Sequence, residues 1–183
     1  MINNRKWIAM FSHSGSEIVN ISNMLGRMPD RIITNNTDIE NIHPHARHCT
    51  YTKNTPSIED YELLLGKNTP VVTLHGWMRI IPEDICEQYE IYNLHPGLIT
   101  EYPELKGKDP QKRAFESRDM YSDVGCVIHK VIPEVDEGVP ILVRSVANDF
   151  ETEQQLTEAL HTMAATMWMS LFAPEILEEE MRR

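Results

Sequence analysis

Short apolar runs alternate along the chain with segments that have the periodicity of amphipathic helices. Apolar runs typical of buried strands lie at residues 6–11, 31–34, 70–74 and 91–94. Helices are predicted at residues 18–25, 58–65, 82–89 and 110–117. Continuous apolar strands that alternate with helices are typical of parallel sheets. The pattern therefore predicts an α/β fold with a mostly parallel sheet, whereas the polar segment 35–57 gives no clear prediction.

The last third of the chain has a different pattern. Two strands are predicted at residues 124–132 and 140–146, and the segment PEVDEGV between them is short enough for a hairpin. An antiparallel element is therefore expected near the C-terminal end of the sheet. Thr152 and Gln155 predict a capping box for a long last helix, which Pro174 should end or kink.

Composition and charge narrow the class of protein. At 183 residues the chain is expected to form a single unit, and its 41% hydrophobic and 25% charged residues are those of a soluble globular protein. A net charge of −11 argues against general binding to nucleic acid or to an anionic membrane. The first residues resemble neither a signal peptide nor a membrane anchor. The scattered cysteines, Cys49, Cys86 and Cys126, suit a reducing compartment, so the expected location is the cytoplasm.

Candidate chemistry begins with the stretch IYNLHPGL at residues 91–98. Side chains alternate along a strand, so Asn93 and His95 should share one face where the chain leaves the sheet. In most proteins such a pair before a proline is an ordinary turn. A catalytic interpretation of the pair is supported by two other strand ends, HGWMRI at residues 75–80 and SHSGSE at residues 12–17. The carboxylate in VDEG at residues 135–138 supports it as well.

Taken in order, GWMRI, NLHP and GCVIHKVIPEVDEG resemble the folate-dependent formyltransferase family. The resemblance implies a Rossmann-like formyltransferase fold with helices on both faces of the sheet. It implies one catalytic domain over residues 1–183, which transfers a formyl group from 10-formyltetrahydrofolate to a primary amine. It carries the family's catalytic residues onto Asn93, His95 and Asp136. The residues implied to contact the folate are Trp77, Met78, Arg79, Ile80, Ile81, Val135 and Asp136.

The chemistry of formyl transfer agrees with these assignments. Attack of the amine places negative charge on the formyl oxygen, and the amide of Asn93 and a protonated His95 are expected to donate hydrogen bonds to it. A nearby Asp136 carboxylate is expected to raise the pKa of the histidine and to assist proton transfer.

The acceptor is less well defined by the sequence. The resemblance places it near Gly15, Ser16, Glu17, Lys106 and Lys108. Where family members that act on glycinamide ribonucleotide bind phosphate with Gly-Ser-Asn, this chain has Gly15, Ser16 and Glu17, and a carboxylate there would repel phosphate. The segment KGKDP is similar to a loop of family members that act on methionyl-tRNA or sugar nucleotides. Glycinamide ribonucleotide and an amino-sugar or modified nucleotide therefore both stay open.

Other functions remain open at this point. Water in place of the amine would make the protein a formyltetrahydrofolate hydrolase, and a catalytically idle member of the fold would only bind a nucleotide or a partner. His43, His45, His48 and Cys49 suggest a metal-binding module, but their spacing matches no standard zinc pattern and a solvated loop without metal is expected. The partners expected are the amine and the reduced folate, with a homodimer as a further option.

Overall fold

The computed structural model describes residues 5–173, and its centre is a seven-stranded sheet with the order β3-β2-β1-β4-β5-β6-β7. The strands are β1 (Trp7–Phe11), β2 (Arg31–Thr34), β3 (Thr50–Tyr51), β4 (Val71–His75), β5 (Glu90–His95), β6 (Asp123–Lys130) and β7 (Pro140–Ala147). Neighbours from β3 to β5 run parallel, whereas β6 is antiparallel to both β5 and β7. The mostly parallel sheet and its antiparallel element are thus confirmed.

The helices lie close to their predicted positions. They are α1 (Ser16–Leu25), α2 (Ile58–Leu65), α3 (Glu83–Gln88), α4 (Pro110–Glu116) and α5 (Glu153–Phe172). Helix α2 begins with a capping box between Ser57 and Asp60, and α1 ends at Gly26, whose φ of 62° suits a residue without a side chain.

The start of α5 differs in detail from the predicted capping box. The Thr152 hydroxyl accepts from the backbone N–H of Gln155, as expected. The side chain of Gln155 accepts from the N–H of Glu151 rather than from that of Thr152, so the reciprocal bond is displaced by one residue. Pro174 lies outside the described residues.

The polar segment 35–57 contains structure that the sequence pattern does not predict. Two single 3-10 turns, Ile39–Asn41 and Pro44–Ala46, precede the two-residue strand β3. Ile42 and Ala46 are buried there, so two isolated apolar residues anchor the segment. The strand itself is exposed at the sheet edge and has no apolar run that would predict it.

Two hydrophobic cores cover the two faces of the sheet. Strand β1 contributes alternate residues to each: Trp7, Ala9 and Phe11 belong to one core, and Ile8 and Met10 to the other. The first core includes residues of α1, α4 and α5, and the second includes residues of α2 and α3. The expected helices on both faces are therefore confirmed.

The sheet order creates a crevice between β1 and β4. From β1 the chain continues to β2 on one side, while β4 lies on the other side. The loops that follow β1 and β4 therefore diverge at the carboxyl ends of the strands, which is where open α/β sheets bind ligands. Separately, no helix within residues 5–173 is long and apolar enough to cross a membrane.

Candidate active site

A cavity of about 790 Å³ opens at the carboxyl ends of the strands. Its walls come from the loops after β1, β4 and β6, from the end of β5, from residues 107–111, and from α1 and α5. Ligand sites for small molecules typically have volumes of this order. The crevice created by the sheet order therefore has the size of a small-molecule site.

Asn93, His95 and Asp136 all line this cavity. Nδ1 of His95 lies 3.2 Å from Oδ2 of Asp136, and the two side chains are only 6% and 8% exposed. Asp136 has a φ of 56°, and its carboxylate also accepts from the backbone N–H of Gly107 at 2.9 Å. The structure thus brings together the three residues that the family resemblance implies, two from β5 and one from the loop after β6.

His129, which the sequence reasoning did not identify, completes this group. Its Nε2 lies 3.3 Å from Nδ2 of Asn93 and 3.5 Å from Oδ1 of Asp136. Its Nδ1 lies 3.1 Å from the Lys130 carbonyl, which can only accept, so the ring hydrogen is on Nδ1. Nε2 is then free to accept from the Asn93 amide. The contact becomes apparent from the register of β5 and β6, which pairs Asn93 with His129 and cannot be read from a sequence motif.

The charges of the group differ from the expectation for His95. Burial is the largest influence on the pKa of His95 and lowers it; Asp136 acts in the opposite direction without restoring it to its ordinary value. Burial raises the pKa of Asp136, but its polar contacts with His129, His95 and the backbone N–H of Gly107 outweigh this, so it lies below the ordinary value. The free protein therefore holds an ionised Asp136 beside a mainly neutral His95. Burial thus outweighs the carboxylate, and the pKa of His95 is not raised as expected.

The residues that the resemblance assigns to the folate all line the cavity. They are Trp77, Met78, Arg79, Ile80, Ile81, Val135 and Asp136. Met78 and Ile80 are 42% and 66% exposed, which leaves apolar surface for a flat ring. Trp77 is largely buried and its indole N–H donates to the Tyr61 hydroxyl, so it supports the wall.

Arg79 is held within this wall by its own neighbours. Its Nε donates to the Asn54 carbonyl at 2.7 Å, and its Nη1 donates to the Met78 carbonyl at 2.6 Å. Nη2 also donates to the side-chain oxygen of Asn54. The guanidinium therefore already has acceptors and does not depend on a ligand carboxylate for its position.

The residues assigned to the acceptor divide into two groups. Ser16, Glu17 and Lys108 line the cavity. Gly15 is instead buried behind α1, where an added Cβ would lie 3.1 Å from Cβ of Ala46. Lys106 is absent from the cavity lining and pairs with Glu137 at 2.7 Å. The residues that line the cavity therefore give no evidence that Gly15 or Lys106 contacts the acceptor directly.

The histidine-rich segment does not form a metal site among residues 5–173, where no group of three or more His, Cys, Asp or Glu side chains is placed to hold an ion. His43 instead caps a 3-10 turn, with its Nδ1 accepting from the backbone N–H of His45 at 3.2 Å. Local turn geometry thus accounts for the spacing of these two histidines.

Comparison with known proteins identifies the class to which this fold and site belong. The model of the formyl transferase family matches residues 26–171. The chain belongs to the formyl transferase family.

Individual relatives are similar over part of the chain. The trifunctional purine biosynthetic protein adenosine-3 of Chironomus tentans is 36% identical over 102 residues, which cover 54% of this chain and 7% of that protein. Phosphoribosylglycinamide formyltransferase of Dictyostelium discoideum is 34% identical over 101 residues, which cover 50% of this chain and 48% of that protein. The chain thus spans less than half the length of either relative.

Solved structures are similar to this protein over most of the chain. Phosphoribosylglycinamide formyltransferase from Campylobacter jejuni has a TM-score of 0.74 at 22% identity, with 89% of this chain and 92% of that chain covered. Glycinamide ribonucleotide transformylase 1 from Symbiobacterium toebii has a TM-score of 0.71 at 22% identity, with 90% and 84% covered. At such identity the likeness concerns the fold, and it confirms the expected formyltransferase architecture.

Proposed function

We propose that the protein is an enzyme that transfers a formyl group from 10-formyltetrahydrofolate to the primary amine of a small acceptor. The observation that carries this proposal is the convergence of Asn93, His95 and Asp136 in one cavity, beside the exposed apolar residues Met78 and Ile80. Membership of the formyl transferase family supports it. The catalytic domain is proposed to extend over the whole chain.

Asn93 supplies the donor for the developing negative charge. When bound, 10-formyltetrahydrofolate provides an activated formyl group, whose oxygen becomes negative as an amine attacks its carbon. One hydrogen of the Asn93 amide nitrogen points to His129, and the second is available to that oxygen. A preorganised donor of this kind contributes about 3 kcal/mol of transition-state stabilisation.

His95 and Asp136 accept and return the proton that the amine must lose. Nε2 of His95 donates to the Leu105 carbonyl at 2.9 Å, so the hydrogen of the neutral ring is on Nε2 and Nδ1 has a lone pair. A proton taken up at Nδ1 would lie beside the ionised Asp136, which stabilises the resulting imidazolium. The pair then returns that proton to the nitrogen that loses the formyl group, so the protons balance over the reaction.

The acceptor is proposed to lie between this group and α1. The names of the relatives point to phosphoribosylglycinamide, and an amino-sugar or modified nucleotide is the alternative acceptor. Lys108 lines the cavity and makes no ion pair with any residue in the described part of the chain, so it is available to an acceptor phosphate. A cytoplasmic location is proposed as well, supported by the free thiols of Cys49, Cys86 and Cys126.

Calorimetric titration with a non-hydrolysable analogue of 10-formyltetrahydrofolate tests the proposal. The wild type should bind the analogue, and Ile80→Asp should weaken binding because it places a carboxylate in the apolar wall. Met120→Asp is the matched control, since Met120 is 71% exposed and lies outside the cavity lining. Folded wild type that gives no heat with millimolar analogue would rule the proposed function out.

A further inference from the structure

Glu17, in the first turn of α1, is held in place by two buried side chains. The indole Nε1–H of Trp168 donates to Oε1 of Glu17 at 3.1 Å. Nδ1 of His75 lies 3.3 Å from Oε2 of Glu17. Both partners belong to the protein interior, because Trp168 and the side chain of His75 are each 0% exposed. Two core side chains therefore fix the position of the carboxylate, although 35% of the Glu17 side chain is exposed.

A buried chain of polar contacts fixes the orientation of His75. The Trp7 indole N–H donates to Oγ1 of Thr73 at 2.8 Å, and the same oxygen lies 2.8 Å from Nε2 of His75. Because the Thr73 hydroxyl is buried, its one hydrogen is best satisfied by Nε2, which places the hydrogen of a neutral His75 ring on Nδ1. Nδ1 has no aligned hydrogen-bond partner among residues 5–173, and the carboxylate it contacts is that of Glu17.

These contacts keep Glu17 ionised despite its surroundings. Burial is the largest influence on the pKa of Glu17 and raises it. The close contact with Nδ1 of His75 and the hydrogen bond from Trp168 together outweigh burial, so the pKa lies below its ordinary value. A negative charge is thus maintained at this point of the cavity wall at neutral pH.

The part of the cavity around Glu17 suits hydroxyl groups better than phosphate. Ser16, Glu17, Asn20 and His161 line it, and we call this part the Glu17 end. Helices α1 and α5, which provide these side chains, contain no lysine or arginine in their described spans. A phosphate there would meet a like charge, and within the described spans of these two helices His161 is the one basic side chain that could offset it. Hydroxyl groups would instead donate to the carboxylate lone pairs that remain.

Building on the proposed function, we propose that the Glu17 end binds a hydroxylated, unphosphorylated sugar portion of the amine acceptor. Glu17 is then the specificity residue that excludes phosphate from this position, and His75 and Trp168 are positioning residues that hold it. A phosphate carried elsewhere on the acceptor would lie toward Lys108, which lines the same cavity. The acceptor class is therefore an amine joined to a sugar whose far end carries no phosphate.

Calorimetric titrations with ribosylglycinamide and with phosphoribosylglycinamide test this inference without requiring turnover. Wild type should bind the unphosphorylated compound about tenfold more tightly or better, a difference that corresponds to about 1.4 kcal/mol. Glu17→Gln, which keeps the size of the side chain and removes its charge, should abolish the preference. Glu62→Gln on α2 is the matched control, because it makes the same change in net charge at an exposed residue on the opposite face of the sheet.

Tighter binding of phosphoribosylglycinamide by the wild type, binding of neither compound, or an unchanged preference in folded Glu17→Gln would overturn the inference. If Glu17→Gln does not fold, the salt dependence of binding to the wild type is a second measurement. Raising the ionic strength should narrow the preference of the wild type for the unphosphorylated compound, since salt screens the repulsion between Glu17 and phosphate. A preference that does not change with salt would also count against it. Titration of the same preparation with the folate analogue separates the two proposals, because only the proposed function requires folate binding.

Discussion

Asn93 on β5 and His129 on β6 are partners across an antiparallel strand pair, with Nδ2 of Asn93 3.3 Å from Nε2 of His129. This contact decides which way the Asn93 amide points. Because Nδ1 of His129 already donates to the Lys130 carbonyl, Nε2 can only accept in the neutral ring. The nitrogen of Asn93 therefore points to His129, and its second hydrogen is left to donate to the proposed negative charge.

His129→Phe should lower kcat while folate affinity stays close to that of the wild type. Phenylalanine retains the ring but lacks the acceptor, so the Asn93 amide can rotate away from its productive orientation. A small misplacement of a catalytic group costs about ten- to a hundredfold in rate. Steady-state kinetics with a calorimetric titration of the folate analogue measures both quantities. Loss of folate binding together with kcat would instead indicate that His129 holds the wall of the site.

Asp136→Asn should reduce kcat by about a hundredfold or more, since the amide cannot stabilise a proton on His95. The fold should be retained, because asparagine has the same shape and can still accept from the N–H of Gly107. Glu137→Gln is the adjacent control, as it alters a carboxylate that pairs with Lys106 and does not line the cavity. Equal losses in the two variants would refute the proposed role of Asp136.

Acid should destabilise the protein in a way that depends on His95. Folded His95 resists protonation, so below about pH 6.5 the unfolded chain binds more protons and stability falls as pH falls toward the pKa of the folded histidine. Asp136 and Glu17, whose pKa values are lowered, contribute stability that is present above their ordinary pKa values and is lost at still lower pH.

Urea unfolding at a series of pH values measures this effect. The fall in the free energy of unfolding that begins below about pH 6.5 should be smaller in His95→Gln, because the variant has no imidazole to protonate. His48→Gln is the control at an exposed histidine and should unfold like the wild type. If the wild type and His95→Gln show the same dependence on pH, the depressed pKa of His95 is wrong.

Gly138→Ala should lower both stability and activity by displacing the loop that carries Asp136. An added Cβ at Gly138 would lie 1.6 Å from the Lys130 carbonyl oxygen, so the backbone must shift. Such overpacking costs about 1–3 kcal/mol. Urea unfolding and kcat measure the two effects, with Val139→Ala as the control because Val139 is 69% exposed. Full activity in Gly138→Ala would mean that the position of Asp136 tolerates movement of its loop.

The sequence predicts those parts of the fold that depend on local signals. The bounds of β2 and α2 match the predictions because an apolar run defines the first and the capping box at Ser57 begins the second. Strand β3 has no such signal, since Thr50 and Tyr51 are exposed and join the sheet only through pairing with β2.

The site shows the same difference between local sequence signals and contacts that form only in the folded chain. Asn93, His95 and Asp136 were identified through short motifs that resemble a known family. His129 and the partners of Glu17 depend on contacts between distant parts of the chain, and Glu17 and Trp168 are 151 positions apart. The pKa of His95 likewise depends on burial that no motif encodes, which is why it is lowered and not raised.

Transfer of an isotopically labelled formyl group is the most direct measurement of the proposed reaction. The protein is incubated with 10-formyltetrahydrofolate labelled in the formyl carbon and with ribosylglycinamide or phosphoribosylglycinamide, and mass spectrometry follows the label. Labelled N-formyl amine is expected with the wild type and with Asn41→Ala, a control outside the cavity lining, and almost none with Asn93→Ala. Label recovered only as free formate, or equal transfer by wild type and Asn93→Ala, would contradict it.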